Sequence, residues 1–333
     1  MKEEETLDKI LNAVDEQIIR TLLYYDIFNY PLTSKEIFRF LGTKHQDESS
    51  LTTSLQGLCE RQIIYRFKNL YGLKNSSSLA ERRLKGNNEA EKYLQLAKRK
   101  GNFISKFPFV RAVLASGSLS KGYMDENSDL DFFIITEPNR LWIARTLLVM
   151  YKRLFLFNSH KYFCVNYFVD ENHLEIEEKN LFTATELATV IPLYGSRQYE
   201  NLHRVNGWLK AYFPNYSPRN TKDVPVTKSG WIQGMFEKVL NTFFGKALEE
   251  YFQEKTLSRW RKQYEKNYSA SDFKVAFKSK SYASKNHPRN FQRSVMEVYQ
   301  EKLKSFGLNL DSSDNERSTI SIQALMNTNF TAV

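Results

Sequence analysis

The chain has 333 residues, 41% hydrophobic, 14% aromatic and 26% charged, with a formal net charge of +10 and a pI near 9.3. That composition leaves room for roughly two or three domains with filled cores and excludes a disordered or collagen-like polymer. Two cysteines, Cys59 and Cys164, are too few for a disulfide framework or a cysteine zinc site, and no apolar run reaches the ~20 residues of a membrane span. A soluble protein of a reducing cytoplasm, with no membrane partner, is therefore expected. The start, "MKEEETLDKILNAVDEQ", is acidic and helix-patterned rather than a signal peptide. The excess of Lys and Arg suits a polyanion, whether nucleoside triphosphate, nucleic acid or acidic membrane surface, or else a solvated lysine-rich face.

Residues 1–75 form the first unit. Ile10, Val14, Ile18, Ile19, Leu22 and Leu23 recur at helical spacing. Pro31 breaks the chain, and Thr33 with Glu36 sets a capping box that opens a short helix through Phe40. A third helix carries Leu51, Leu55 and Leu58 on one face. The strands "IIYRF" and "LYGLK" follow, joined by Lys68-Asn69. Three helices and a terminal hairpin give a winged-helix-like pattern. Its third helix could read nucleic acid, yet it holds only Arg61, beside Glu60, so a packing module is the other reading.

Residues 76–180 alternate helix and strand. A helix ends before Pro108, "FVRAVLAS" and "DFFIIT" read as strands, "RLWIARTLLVMYKRLF" as a helix and "KYFCVNYFV" as a strand, which predicts an α/β sheet. From 181 to 310 the spacing is helical, "TATELATVIPLYG" included, interrupted by the loop "FPNYSPRNTKDVPVTKSG". Residues 311–333 are polar and expected to fray. Trp231 and Phe236 in "SGWIQGMFEKVLNTFF" sit at helical spacing, which points to core packing or a partner contact ahead of a membrane. His160, His173, His203 and His287 lack companions at metal-ligand spacing, and Arg289 with Arg293 reads as a solvated helix start.

Between two of the strands lies "LASGSLSKGYMDENSDLDFFII". Asp129 and Asp131 are two apart at the mouth of a strand, so their side chains share a side and repel. A divalent cation between them relieves that repulsion, and Mg²⁺ held by two carboxylates plus substrate phosphates suits such a pair. Upstream, Gly117-Ser118 offers backbone N–H groups for phosphate oxygens, and Lys121 adds a charge.

Gly117, Ser118, Gly122, Ser128, Asp129 and Asp131 together resemble the pattern of the DNA polymerase beta-like nucleotidyltransferase superfamily, in its minimal and aminoglycoside nucleotidyltransferase-like branch, over roughly residues 90 to 180. With the N-terminal winged-helix pattern, the resemblance implies an α+β multidomain protein: winged helix, mixed nucleotidyltransferase sheet and C-terminal helical bundle. It implies transfer of NMP from an NTP to a hydroxyl on a small molecule, nucleic acid or protein, with release of pyrophosphate. Asp129 and Asp131 would then bind Mg²⁺; Gly117, Ser118, Lys121 and Ser128 would face the nucleotide. Full activity in this superfamily uses a third carboxylate on a later strand. Asn166 stands there, and an amide is no base near neutral pH. Asp170, Glu171 and Glu175 are the other acids in reach of that strand. A catalytically silent nucleotide- or DNA-binding regulator is thus the alternative function.

Overall fold

Two capping boxes open the first two described helices. Asn12 Oδ1 accepts from Val14 and Asp15 N–H, each at 2.9 Å, and opens α1 (Ala13–Asp26). Thr33 and Glu36 bond reciprocally and open α2 (Ser34–Phe40), as their spacing predicts. Each cap is worth about 1 kcal/mol. The computed structural model describes residues 11–157, 161–286 and 291–309; Ile10, His160, His287, Arg289 and residues 311–333 lie outside them.

Ile18, Ile19, Leu22 and Leu23 of α1 are buried against Leu55 and Leu58 of α3 (Thr52–Glu60) and Ile37 of α2. A three-stranded sheet closes the unit, in the order β1 (Leu32–Thr33), β3 (Leu70–Gly72), β2 (Tyr65–Phe67). Asp15 is buried and takes Nη2 of Arg61, the exposed residue that follows α3, at 2.7 Å.

The polar stretch after residue 75 continues into a single helix, α4 (Ser77–Ile104), which buries small residues, Ala80, Ala90, Ala97 and Gly101. Its Arg83 is buried, stacks over the Tyr30 ring at 4.1 Å and pairs with Glu36 at 2.7 Å, pinning α4 to the first unit.

Among the described residues the central sheet has six strands, in the order β7-β4-β5-β6-β9-β8. β4 (Val110–Ser116) and β5 (Asp131–Thr136) are antiparallel, and β6 (Cys164–Asp170) runs parallel to β5. Strand alternation divides the core. Ala112, Leu114, Phe133 and Ile135 face the side that also packs the first unit, while Val113, Ala115, Phe132 and Ile134 face α4 and α6 (Leu141–Phe155).

The expected boundary at 180 cuts through this sheet. Residues 191–194, read from sequence as helix, form β7 (Ile191–Tyr194) on the edge beside β4, after α7 (Leu181–Thr189). Pro192 cannot continue the helix and is tolerated on an edge strand. At the other side, β8 (Ser279–Lys280) and β9 (Ala283–Lys285) extend β6; strands so short, built from Ser, Lys and Ala, carry no hydrophobic period to read. Nor do the C-terminal helices form a bundle apart: α8 (Ser196–Val205) packs on β4 and β7 after the short turn of Gly195. The last described helix, Phe291–Ser305, returns to α1, with Tyr299 edge-on to Tyr24 at 5.7 Å and Lys302 Nζ on Asp26 at 2.6 Å. The loop from 213 to 230 is without helix or strand, as expected.

Candidate active site

β4 ends at Ser116, and Gly117 turns the chain with φ +64° into the single helical turn Gly117–Ser120. Only glycine enters that conformation without strain. It also meets a packing limit, because a Cβ there would overlap Asp131 Oδ2. The turn is tied down from both sides. Ser120 Oγ donates to Gly117 O at 2.8 Å, Lys121 Nζ donates to the same oxygen at 3.2 Å, and Tyr30 OH donates to Lys121 O at 2.5 Å. Gly122 takes φ +73°, and Asn87 of α4 donates to its carbonyl.

Asp131 opens β5, opposite Ser116 on one neighbour and Cys164 on the other. The β5–β6 register slips between Phe132 and Phe133, so the extra residue is Asn166. Its Nδ2 donates to Asp131 Oδ1 at 2.9 Å, while Cys164 Sγ donates to Asn166 Oδ1 at 3.1 Å. Gly117, Asp131, Asn166 and Cys164 therefore converge. Burial, reinforced by the negative charges of Asp129 and Glu186, pushes the Asp131 carboxyl up to about 6, against the thiol of Cys164 and the ammonium of Lys121. Burial and the Asp131 charge push Cys164 up to about 12, so it stays a neutral thiol at physiological pH.

Among the described residues no group of three His, Cys, Asp or Glu side chains is placed to hold a metal ion. The donor set is the two carboxylates of Asp129 and Asp131, where Asp131 is destabilised by burial and nearby negative charge; Asn166 presents its Nδ2 to Asp131, with its oxygen turned to Cys164. That set fits a hard divalent cation whose remaining ligands are substrate phosphates and water.

The other residues singled out in the sequence separate from this point. Ser128 Oγ donates to Asp125 Oδ1 at 2.7 Å and accepts from Asp125 N at 3.1 Å, closing the loop before Asp129. Lys121 Nζ is engaged by Glu186 Oε1 at 2.6 Å. Asp170 lies at the far end of β6, about 20 Å from Cys164 along the strand, where it accepts from His173 Nδ1 at 2.7 Å. Glu171 accepts from Gln198 at 2.6 Å, and Glu175 pairs with Lys179 at 2.6 Å. None of these three acids stands at the Asp131 end of the strand. His203 is buried beside Tyr216, and Arg293 pairs with Glu297.

Glu186 escaped the sequence reading, and Cys164 figured in it only as one of two isolated cysteines. Glu186 is the one charged residue of α7, "LFTATELAT", and a lone acid in an otherwise apolar and small helix was the available signal. Two cavities lie elsewhere, one lined by Leu22, Tyr30, Leu70 and Ala80, the other by Tyr24, Tyr25, Thr185 and Tyr299.

The family model of the nucleotidyltransferase domain matches residues 96–199, from the last turns of α4 through β7 into α8. This segment holds Gly117, Asp129, Asp131, Asn166 and Glu186, and the match supports the nucleotidyltransferase superfamily for it. No curated protein and no solved structure matches the chain.

Proposed function

We propose that the protein transfers a nucleoside monophosphate from an NTP to a hydroxyl acceptor. The acceptor oxygen forms a bond to the α-phosphorus as the bond to the β-phosphate oxygen breaks, and pyrophosphate leaves. The observation that carries this reading is the close approach of Gly117 to Asp131, inside the segment that matches the nucleotidyltransferase domain. A glycine with no side chain beside a half-buried carboxylate leaves room for a phosphate oxygen and a cation at one point.

In this reading Asp129 and Asp131 hold Mg²⁺, which when bound supplies charge neutralisation for the phosphates. The Gly117-Ser118 backbone positions the phosphates, and Ser128 holds the loop that presents Asp129. Lys121 reaches phosphate by leaving Glu186. Glu186 then becomes the third acid in place of Asn166, free to take the acceptor's proton. Its support is that its charge, besides that of Asp129, acts on Asp131.

A second reading, a nucleotide-binding regulator without turnover, is favoured by one observation, the amide of Asn166 hydrogen-bonded to Asp131. DNA binding by the N-terminal unit, winged-helix-like in its order of elements, gains no support from α3, whose exposed residues are Thr52, Thr53, Gln56 and Glu60. Pyrophosphate release from each of the four NTPs with Mg²⁺, compared with the Asp129→Asn variant, separates the readings. Turnover lost in the variant supports the transferase; nucleotide binding with no release from either protein overturns it.

A further inference from the structure

Helix α10 (Trp231–Leu240) is amphipathic with its faces exchanged. Two of its polar residues, Gln233 and Glu237, point into the protein. Gln233 Nε2 donates to Phe107 O at 3.0 Å, and Glu237 accepts from Phe109 N at 2.6 Å and from both Nη atoms of Arg111 at 2.9 and 3.1 Å. Both side chains are buried. Its apolar residues, Trp231, Ile232, Met235, Phe236 and Val239, are half or more exposed. Such a helix cannot roll over to hide them, because that would strip Arg111 of a partner and leave the Phe109 N–H unpaired.

The face continues into α11 (Phe243–Tyr264). At the corner Gly245 packs against Leu240 O so closely that a Cβ would overlap it, which fixes the start of α11 against the end of α10. Phe243 and Phe244 project from this corner, 89% and 63% exposed, and Trp231 is 79% exposed. The four aromatic side chains present on the order of 600 Å². That equals the largest apolar patch usual on a soluble monomer, ~300–600 Å², before Ile232, Met235 and Val239 are added.

The charges around the face choose its occupant. Between Val226 and Ala247 the exposed charged residues are Lys228, Lys238 and Lys246, all positive, and the one acid, Glu237, is turned inward on Arg111. Two copies meeting through this face would bring lysines together on chains that each carry +10. No described helix is long and apolar enough to cross a membrane, so the face can lie in a bilayer surface without spanning it. Exposed aromatic residues flanked in sequence by Lys228, Lys238 and Lys246, with the acids Asp223 and Glu250 lying beyond them, match a helix seated at the headgroup boundary.

We propose that α10 and the first turn of α11 seat the protein on an anionic lipid surface, with Trp231, Phe236, Phe243 and Phe244 in the acyl boundary and Lys228, Lys238 and Lys246 on the headgroups. This goes beyond the nucleotidyltransferase reading and does not depend on it. The test is flotation of the full chain with vesicles of phosphatidylcholine alone or mixed with phosphatidylglycerol. The parent is expected to float with the mixed vesicles and to be released by salt. Lys238→Glu and Lys246→Glu should each weaken partitioning about fivefold or more. The triple variant Trp231→Ser, Phe243→Ser, Phe244→Ser should lose it while keeping the parent's circular dichroism, since these side chains are exposed. A parent that does not float with anionic vesicles overturns the proposal, as does a folded triple variant that floats equally well. So does a parent that is dimeric in sedimentation with the triple variant monomeric, which would make the face a contact between copies.

Discussion

Asn166 Nδ2 sits 2.9 Å from Asp131 Oδ1, so the amide on β6 touches the carboxylate that opens β5. Replacing the amide with an acid therefore has a definite consequence. Asn166→Asp exchanges a hydrogen bond to a charged group for a repulsion between carboxylates. Without divalent cation the variant should be about 1–3 kcal/mol less stable than the parent. Mg²⁺ should raise its melting temperature more than the parent's, and pyrophosphate release should rise roughly 10²-fold once a base is present. A variant whose melting temperature ignores Mg²⁺ would count against a cation at this point.

Asp129→Asn and Asp131→Asn should each abolish Mg²⁺-dependent NTP binding, measured by calorimetry, with the fold intact. An asparagine at 131 still accepts from Asn166. Its effect on stability has a sign. The Asp131 carboxyl titrates near 6 in the folded protein and near 3.8 unfolded, so its charge costs nothing below pH 3.8 and opposes folding above pH 6. In metal-free buffer the Asn variant should therefore match the parent in acid and exceed it at pH 7 to 8. Equal melting temperatures at both ends would show that burial does not burden this carboxylate.

Gly117→Val combines a left-handed backbone with a Cβ driven into Asp131. A loss of at least about 1–2 kcal/mol is expected from the backbone alone, with nucleotide affinity lost as well. Ser118→Ala removes about one hydrogen bond and should weaken nucleotide binding up to roughly tenfold. Unchanged affinity in Gly117→Val would move the phosphates elsewhere.

Glu186 and Lys121 form an ion pair at 2.6 Å, and their variants should separate binding from turnover. Glu186→Gln should keep nucleotide affinity and lower pyrophosphate release about 10²-fold. Lys121→Ala should raise KM for NTP more than it lowers kcat. Full release in Glu186→Gln would remove it as the third acid.

His203 gives the protein an acid-side stability limit. Burial and the nearby positive charge of Arg39 push its imidazole down to about 4 from 6.5, while Nδ1 stays beside Tyr216 OH at 3.1 Å. Above pH 6.5 the ring is neutral folded and unfolded, and its contribution is complete. As pH falls toward 4 the unfolded chain takes the proton first, removing about 2–3 kcal/mol. Urea midpoints between pH 7 and 4 should fall for the parent and flatten for His203→Gln.

Some of the local structure around the candidate site was legible in one dimension. Gly117 at a turn, Asp131 at the start of a strand and the Thr33–Glu36 cap depend on residues a few positions apart, where backbone geometry fixes the outcome, whereas Asp129 lies in the loop before that strand. Pairing across the sheet was not local. Residues 279–285 become strands only because β6 offers a free edge, and Pro192 makes an edge strand of a segment with helical spacing. Glu186 joins the site because α7 packs beside the Gly117 turn, 65 residues from its partner Lys121. For Trp231 and Phe236 the helical period was visible but its direction was not. Periodicity says that one face differs from the other; Arg111, by binding Glu237, decides which of the two meets the protein.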